Sequence, residues 1–171
     1  MIVRESYSLI FFDMLTETIR QQILTFISEL NSDVFVIHME LKEGRTKRLI
    51  LRVDTDKGID MSEIGEVNRN LGRWLDEENV FDFEYAMEVS SPGVGEPLVL
   101  QRQYQKNVGR DLRVVLAAGG EVFGQLTGVH DEGVEITPYL KKNYHKGQKP
   151  KLSEEVKVIP FEKIRDSRVI I

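Results

Sequence analysis

The residues best suited to chemistry lie in one run, Tyr139-Leu-Lys-Lys-Asn-Tyr-His-Lys-Gly-Gln-Lys-Pro-Lys151, which holds five lysines, one histidine, two tyrosines and no acid. The ammonium groups of Lys141, Lys142, Lys146, Lys149 and Lys151 can neutralise a phosphate backbone, and the rings beside them can stack on an unpaired base. The same composition also makes a solvated loop kept soluble by its lysines. A second basic group, Arg45, Lys47 and Arg48, surrounds a turn at Glu43-Gly44-Arg45. These eight cations are the candidate RNA contacts.

Bond-making chemistry is poorly provided for. Ser90, Ser91 and the three histidines His38, His130 and His145 invite a hydrolase reading. A serine nucleophile needs a base and an oxyanion hole, usually on a Gly-x-Ser-x-Gly elbow, and that motif is absent. Asp111, Asp131 and Glu132 have no metal-ligand spacing, and no glycine-rich loop ends in Lys-Ser or Lys-Thr to cradle a phosphate. Asp54-Thr-Asp-Lys-Gly-Ile-Asp60 has the look of a calcium loop. An EF-hand requires glycine at its sixth position and glutamate at its twelfth, where this chain has Ile59 and Gly65. No enzyme activity, metal or cofactor is expected. With no cysteine, disulfides and thiolate chemistry are excluded, which suits a reducing cytoplasm.

The elements that position these residues follow from periodicity. Leu15, Ile19, Ile23, Phe26, Ile27 and Leu30 recur at helical spacing, and Asn31-Ser32-Asp33 closes that helix. Val34 to Lys42 and Arg48 to Asp54 read as the two strands of a hairpin, with Leu49, Leu51 and Val53 alternating against Arg48, Ile50 and Arg52. Asp60 and Glu63 form a capping box for a second helix, whose apolar stripe is Ile64, Val67, Leu71, Trp74 and Leu75. On that stripe Trp74 reads as core rather than as a base-stacking platform. A third strand alternates Phe83, Tyr85, Met87 and Val89 with Glu84, Ala86, Glu88 and Ser90. The order αββαβ describes a small α/β layer shared with one type of KH domain. That domain clamps nucleotides with a Gly-x-x-Gly loop, and no such tetrapeptide occurs here.

The third strand runs into Ser90-Ser91-Pro92-Gly93-Val94-Gly95-Glu96-Pro97. Proline offers no N–H to a ladder and glycine accepts turn dihedrals, so this stretch reads as a joint between domains. Beyond it, a helical turn within Leu98 to Val108 is expected to pack the linker. Short strands then follow at Asp111 to Ala117, Glu121 to Val129, Val134 to Pro138, Val156 to Ile159 and Arg168 to Ile171, with a helical turn at Pro160 to Ile164. Five short strands with glycine-rich turns imply a small barrel of the SH3 or Sm type. The expected fold is therefore α+β in two domains: a KH-like α/β domain over 14–91, a linker over 92–110 and an Sm-like β-barrel over 111–171.

Charge divides at the same place. Residues 1–92 carry 10 Lys and Arg against 18 Asp and Glu, a net of −8, whereas residues 93–171 carry 13 against 10, a net of +3. An acidic chain of this kind is no general nucleic-acid coat. It can touch RNA through a local patch and a basic protein through its acidic half. No apolar run reaches the length of a membrane span, and Leu9-Ile10-Phe11-Phe12, closed by Asp13, is too short for a signal-peptide core. Residues 1–13 show no clean period, so Met14 is a candidate start, and a loosely docked N-terminal segment is the alternative.

With these residues in view, the chain resembles the ribosome maturation factor RimP family. The joint carries the resemblance, in Glu88-Val-Ser-Ser-Pro-Gly93 followed by Pro97-Leu98. Support comes from Leu51-Arg-Val-Asp54, Gln103-Tyr-Gln-Lys-Asn-Val-Gly-Arg110 and Val158-Ile-Pro-Phe-Glu-Lys-Ile164. The likeness spans residues 14–171. It implies a KH-like domain, an Sm-like barrel, no catalysis, and binding to the immature small (30S) ribosomal subunit, with ribosomal RNA and a basic ribosomal protein as partners. Family members often carry Asp-Arg before the Pro-Leu pair, where this chain has Gly95-Glu96, so any contact made by that arginine does not transfer. A cytoplasmic monomer is expected. The rival readings are an Sm-type RNA-binding chaperone or regulator with no ribosomal role, and a protein-only adaptor working through the acidic half.

Overall fold

The computed structural model describes residues 15–93, 95–140 and 151–170. The candidate start at Met14 and the segment before it lie outside the described residues. The chain divides into two compact units, one running up to Pro92 and the other from Gly93.

In the first unit the chain forms α1 (Glu17–Leu30), β1 (Phe35–Lys42), β2 (Lys47–Asp54), α2 (Met61–Glu77) and β3 (Tyr85–Ser90). Thr16 caps α1 by accepting from the Ile19 N–H. The capping box opens α2 as its sequence implies: the Glu63 N–H donates to Asp60 Oδ1 at 2.9 Å, and the Asp60 N–H donates to Glu63 Oε2 at 2.9 Å. Strand β2 is central, antiparallel to β1 and parallel to β3. Its alternation buries Leu49, Leu51 and Val53 against Ile23 and Ile27 of α1 and Leu71 and Leu75 of α2. Trp74 sits half-buried and stacks on Phe26 with 4.8 Å between centroids. Asp54 is buried, and its Oδ1 accepts from the N–H groups of Thr55 and Ile59 at 2.9 and 3.3 Å. The acidic turn thus uses its first carboxylate to fold itself.

The second unit contains α3 (Gln101–Lys106), β4 (Asp111–Leu116), β5 (Glu121–Val129), β6 (Gly133–Pro138), β7 (Lys157–Pro160), a single 3-10 turn at Phe161–Lys163 and β8 (Ile164–Val169). The strands form one antiparallel sheet in the order β7-β6-β5-β4-β8. Leu112, Val114, Leu126, Val134 and Ile136 fill its core, closed by the rings of Tyr104 and Phe161 at 5.3 Å.

Two expectations are corrected here. The sheet is not a closed barrel, because β7 and β8 stand at opposite edges with no ladder between them among the described residues. The reason lies in a contact between residues distant in sequence. The free side of β8 is taken by the joint, where Pro97 bridges to Arg168 and the Leu98 N–H donates to the Ser167 carbonyl at 2.9 Å. The last strand also begins at Ile164 rather than Arg168. An irregularity at Arg165 breaks its period, and its buried position at Ser167 is polar.

Candidate functional site

The first basic group sits on the β1–β2 hairpin. Arg45 is exposed in the turn, and Arg48 is exposed on β2 between Lys42 of β1 and Ala86 of β3. Adjacent strand residues face opposite ways, so Lys47 and Arg48 part company. Arg48 joins the open face of the sheet, whereas the Lys47 ammonium lies 3.7 Å from the centroid of the Phe83 ring. A cation held on a ring face at a partly exposed site gains about 0.5–1 kcal/mol, so Lys47 has work within its own unit. On the open face Glu40 lies 3.2 Å from Lys42 and 3.4 Å from His38. Burial raises the Glu40 pKa, but the bonds and charges of Lys42 and His38 outweigh it, and the carboxyl is held below its ordinary value. The open face therefore mixes charges, and of the two strand candidates Arg48 is exposed whereas Lys47 is half-buried.

Of the lysine run, Lys141, Lys142, Lys146 and Lys149 lie outside the described residues; Lys151 does not. It stands exposed at a neck that continues the β6 pairing. Tyr139 bridges to Leu152, the Leu140 N–H donates to the Lys151 carbonyl at 3.0 Å, and the Ser153 N–H donates to the Pro138 carbonyl at 2.7 Å. An open cleft at this neck is lined by Leu140, Lys151, Leu152, Glu154 and Glu155. Lys151 thus shares its surroundings with two carboxylates. Lys151 and the hairpin cations belong to different units.

The joint is the best-defined part of the site. Gly95 takes φ +80°, a left-handed conformation that a side chain would strain. The Arg168 guanidinium donates to the Gly95 carbonyl at 3.3 Å. Downstream, Gln103 Oε1 accepts from the N–H groups of Val99 and Leu100 at 2.8 and 2.9 Å. The Tyr104 hydroxyl reaches the Leu98 carbonyl at 3.3 Å and hydrogen-bonds Ser167 Oγ. Pro97 and Leu98 are thus built into the second unit. Glu96 folds back, its N–H donating to the Gly93 carbonyl at 3.1 Å. Ser90 ends β3 opposite Arg52, and Ser91 and Pro92 follow it out of the sheet. Sequence reasoning missed Arg168, Ser167 and Gln103 as partners of the joint. The only signal was a polar residue at an otherwise apolar position of a short strand.

Among the described residues no group of three His, Asp or Glu side chains is placed to hold a metal ion. No helix among them is long and apolar enough to cross a membrane.

Comparison with known proteins gives the architecture its relatives. The family model for the RimP N-terminal domain matches residues 22–95, from within α1 to the joint. The ribosome maturation factor RimP of Cytophaga hutchinsonii is 33% identical over 158 residues, which cover 88% of this chain and 95% of that protein. The chain belongs to the RimP family. The match to the N-terminal domain of RimP ends at Gly95, within the joint, and the alignment to the Cytophaga relative spans most of both chains.

One feature of the first unit has a pH signature. The Tyr85 hydroxyl donates to Asp76 Oδ1 at 2.8 Å. Burial, then the Asp76 hydrogen bond and charge, push the phenol pKa well above its ordinary value. A phenol raised on folding leaves stability intact below its unfolded pKa and costs stability as pH climbs towards the folded one. Urea melts should therefore be unaffected by this group up to about pH 10 and lose stability above it. Tyr85→Phe should flatten that alkaline decline, and identical slopes in the two proteins would count against it.

Proposed function

We propose that this chain is a non-catalytic assembly factor that binds the immature small (30S) ribosomal subunit and promotes its maturation. The observation that carries this reading is the 33% identity over nearly the whole of a protein named ribosome maturation factor RimP. The αββαβ order of the first unit supports a KH-like domain, in residues 14–91. The antiparallel strands with one 3-10 turn before the last support kinship with Sm-like and SH3-like domains, in residues 111–171. Residues 92–110 are proposed as the link, stiffened by Pro92 and Pro97 and turned at Gly93 and Gly95, with its part from Pro97 onward packed into the second unit.

On this reading the acidic first unit meets a basic ribosomal protein, while ribosomal RNA meets the lysine run and the cations of the hairpin. Complementary charge speeds encounter and sets orientation. Binding one RNA conformer better than its competitors shifts the population towards it without bond chemistry. The factor is proposed to act in the cytoplasm as a monomer. Deletion of its gene followed by gradient profiling tests the proposal. The expected result is a depleted small-subunit peak with incompletely processed ribosomal RNA; normal subunit levels and normal processing would contradict it.

A further inference from the structure

An open cavity of about 910 Å³, a wide surface groove rather than an enclosed pocket, lies in the first unit where α2 gives way to β3. Asn79 takes a left-handed φ of +46° at the helix end, and the chain then runs Phe81-Asp-Phe-Glu-Tyr85, alternating rings with carboxylates. The chain bends at Asp82 and Phe83 before β3 begins at Tyr85, and it leaves the rings half-buried and the acids exposed. The rings form one continuous wall, with Phe81 5.2 Å from Phe83 and 5.1 Å from Tyr85. Asp76, Asp82 and Glu84 line the same opening, and neither lysine nor arginine does. Asp76 is engaged by the Tyr85 hydroxyl. Asp82 and Glu84 have no bonding partner among the described residues.

We infer that this cavity receives an extended arginine-rich segment of a partner protein. Three carboxylates around one concave mouth focus a negative field that draws cations and repels phosphate, which sets nucleic acid aside as the occupant. The opening is too large for one side chain, so a stretch of peptide is the fitting size. The aromatic wall favours a guanidinium, which can stack on a ring while its fork reaches a carboxylate. The unit already displays half of this chemistry on itself, in the Lys47 ammonium over Phe83. The inference deepens the proposed function, from which it takes the expectation of a basic protein partner.

The test uses the full chain and a fluorescein-labelled peptide of alternating arginine and glycine, followed by anisotropy at low salt. The Asp82→Asn, Glu84→Gln double variant should weaken binding by roughly ten-fold or more, as expected for lost charge-assisted hydrogen bonds. Replacing arginine by lysine in the peptide should cost about two- to five-fold. Glu77→Gln, Glu78→Gln removes the same charge from the neighbouring helix end outside the cavity, and should leave affinity within about two-fold if the site is local. Equal losses in the two double variants, or no loss in the first, overturn the inference. Trp74 fluorescence checks that each variant is folded. Co-sedimentation with small-subunit precursors separates the two levels of reading. Particle binding without peptide binding overturns the cavity alone. Peptide binding that depends on Asp82 and Glu84, without particle binding, supports the cavity and overturns the ribosomal role.

Discussion

Gly124→Ala is expected to destabilise the second unit more than the same change at any other glycine of its sheet. Strand β5 crosses β6 so closely at this point that a Cβ on residue 124 would lie 2.3 Å from the Thr137 carbonyl oxygen and 2.8 Å from Pro138 Cα. Both are backbone atoms of a paired strand, so relief requires β6 to move and the Gly124–Pro138 register to break. Overpacking of a rigid site costs about 1–3 kcal/mol, occasionally more, and a backbone clash belongs at the upper end. A loss of about 3 kcal/mol is a large part of the roughly 5–15 kcal/mol that holds a domain together. For a unit of this size it should lower the Tm by roughly 12–24 °C. Gly120→Ala is the informative comparison. Gly120 has a φ of +89° in the β4–β5 turn, and nothing lies within 4 Å of a Cβ there, so the cost is backbone strain of about 1–2 kcal/mol. Hydrogen exchange across β5 and β6 during the melt should show early opening in the first variant. Equal Tm values for the two variants would show that the close approach is tolerated.

That contrast also marks what a sequence can and cannot reveal here. Periodicity exposed every long element, because Ile23, Ile27, Leu71 and Leu75 sit on clean helical stripes and Leu49, Leu51 and Val53 on a clean strand alternation. The Asp60–Glu63 capping box was legible because both partners lie within one turn. The second unit was read as five strands, yet its closure was misjudged. What keeps β8 from β7 is the pairing of Pro97 and Leu98 with β8, between residues about 70 positions apart. Local pattern carries no trace of such a contact. The same holds for Tyr104 and Ser167, one a helix residue and the other a strand residue, which lock the joint only once folded. The cavity beside β3 was half visible. Phe83, Glu84 and Tyr85 read as the start of the third strand, whereas the chain bends at Asp82 and Phe83 after a left-handed turn at Asn79 and lines the opening there. Of the basic residues, the sequence singled out Lys47 and Arg48 together, and the strand geometry sends them to opposite faces.

Alanine in place of Lys141, Lys142, Lys146, Lys149 and Lys151 should weaken binding to small-subunit precursors on the order of 100- to 1,000-fold at physiological salt if all five lysines meet phosphate, since each neutralised phosphate releases condensed counterion. The plot of log affinity against log salt should flatten by about 1 for each lysine so engaged. The slope discriminates better than the affinity, because a packing defect would weaken binding without changing it. Lys151 supplies a finer test. It shares the neck of the run with Glu154 and Glu155, whose carboxylates repel phosphate and compete for the same ammonium. Glu154→Gln, Glu155→Gln should therefore tighten RNA-dependent binding, and should lose that advantage in the five-alanine background. The cavity variant Asp82→Asn, Glu84→Gln carries the same change in net charge from the other unit. If it tightens particle binding as much as the neck variant does, the effect is one of overall charge. Opposite signs would assign the lysine run to RNA and the aromatic cavity to protein. Unchanged co-sedimentation of the five-alanine protein across a salt series would remove the run from the binding surface.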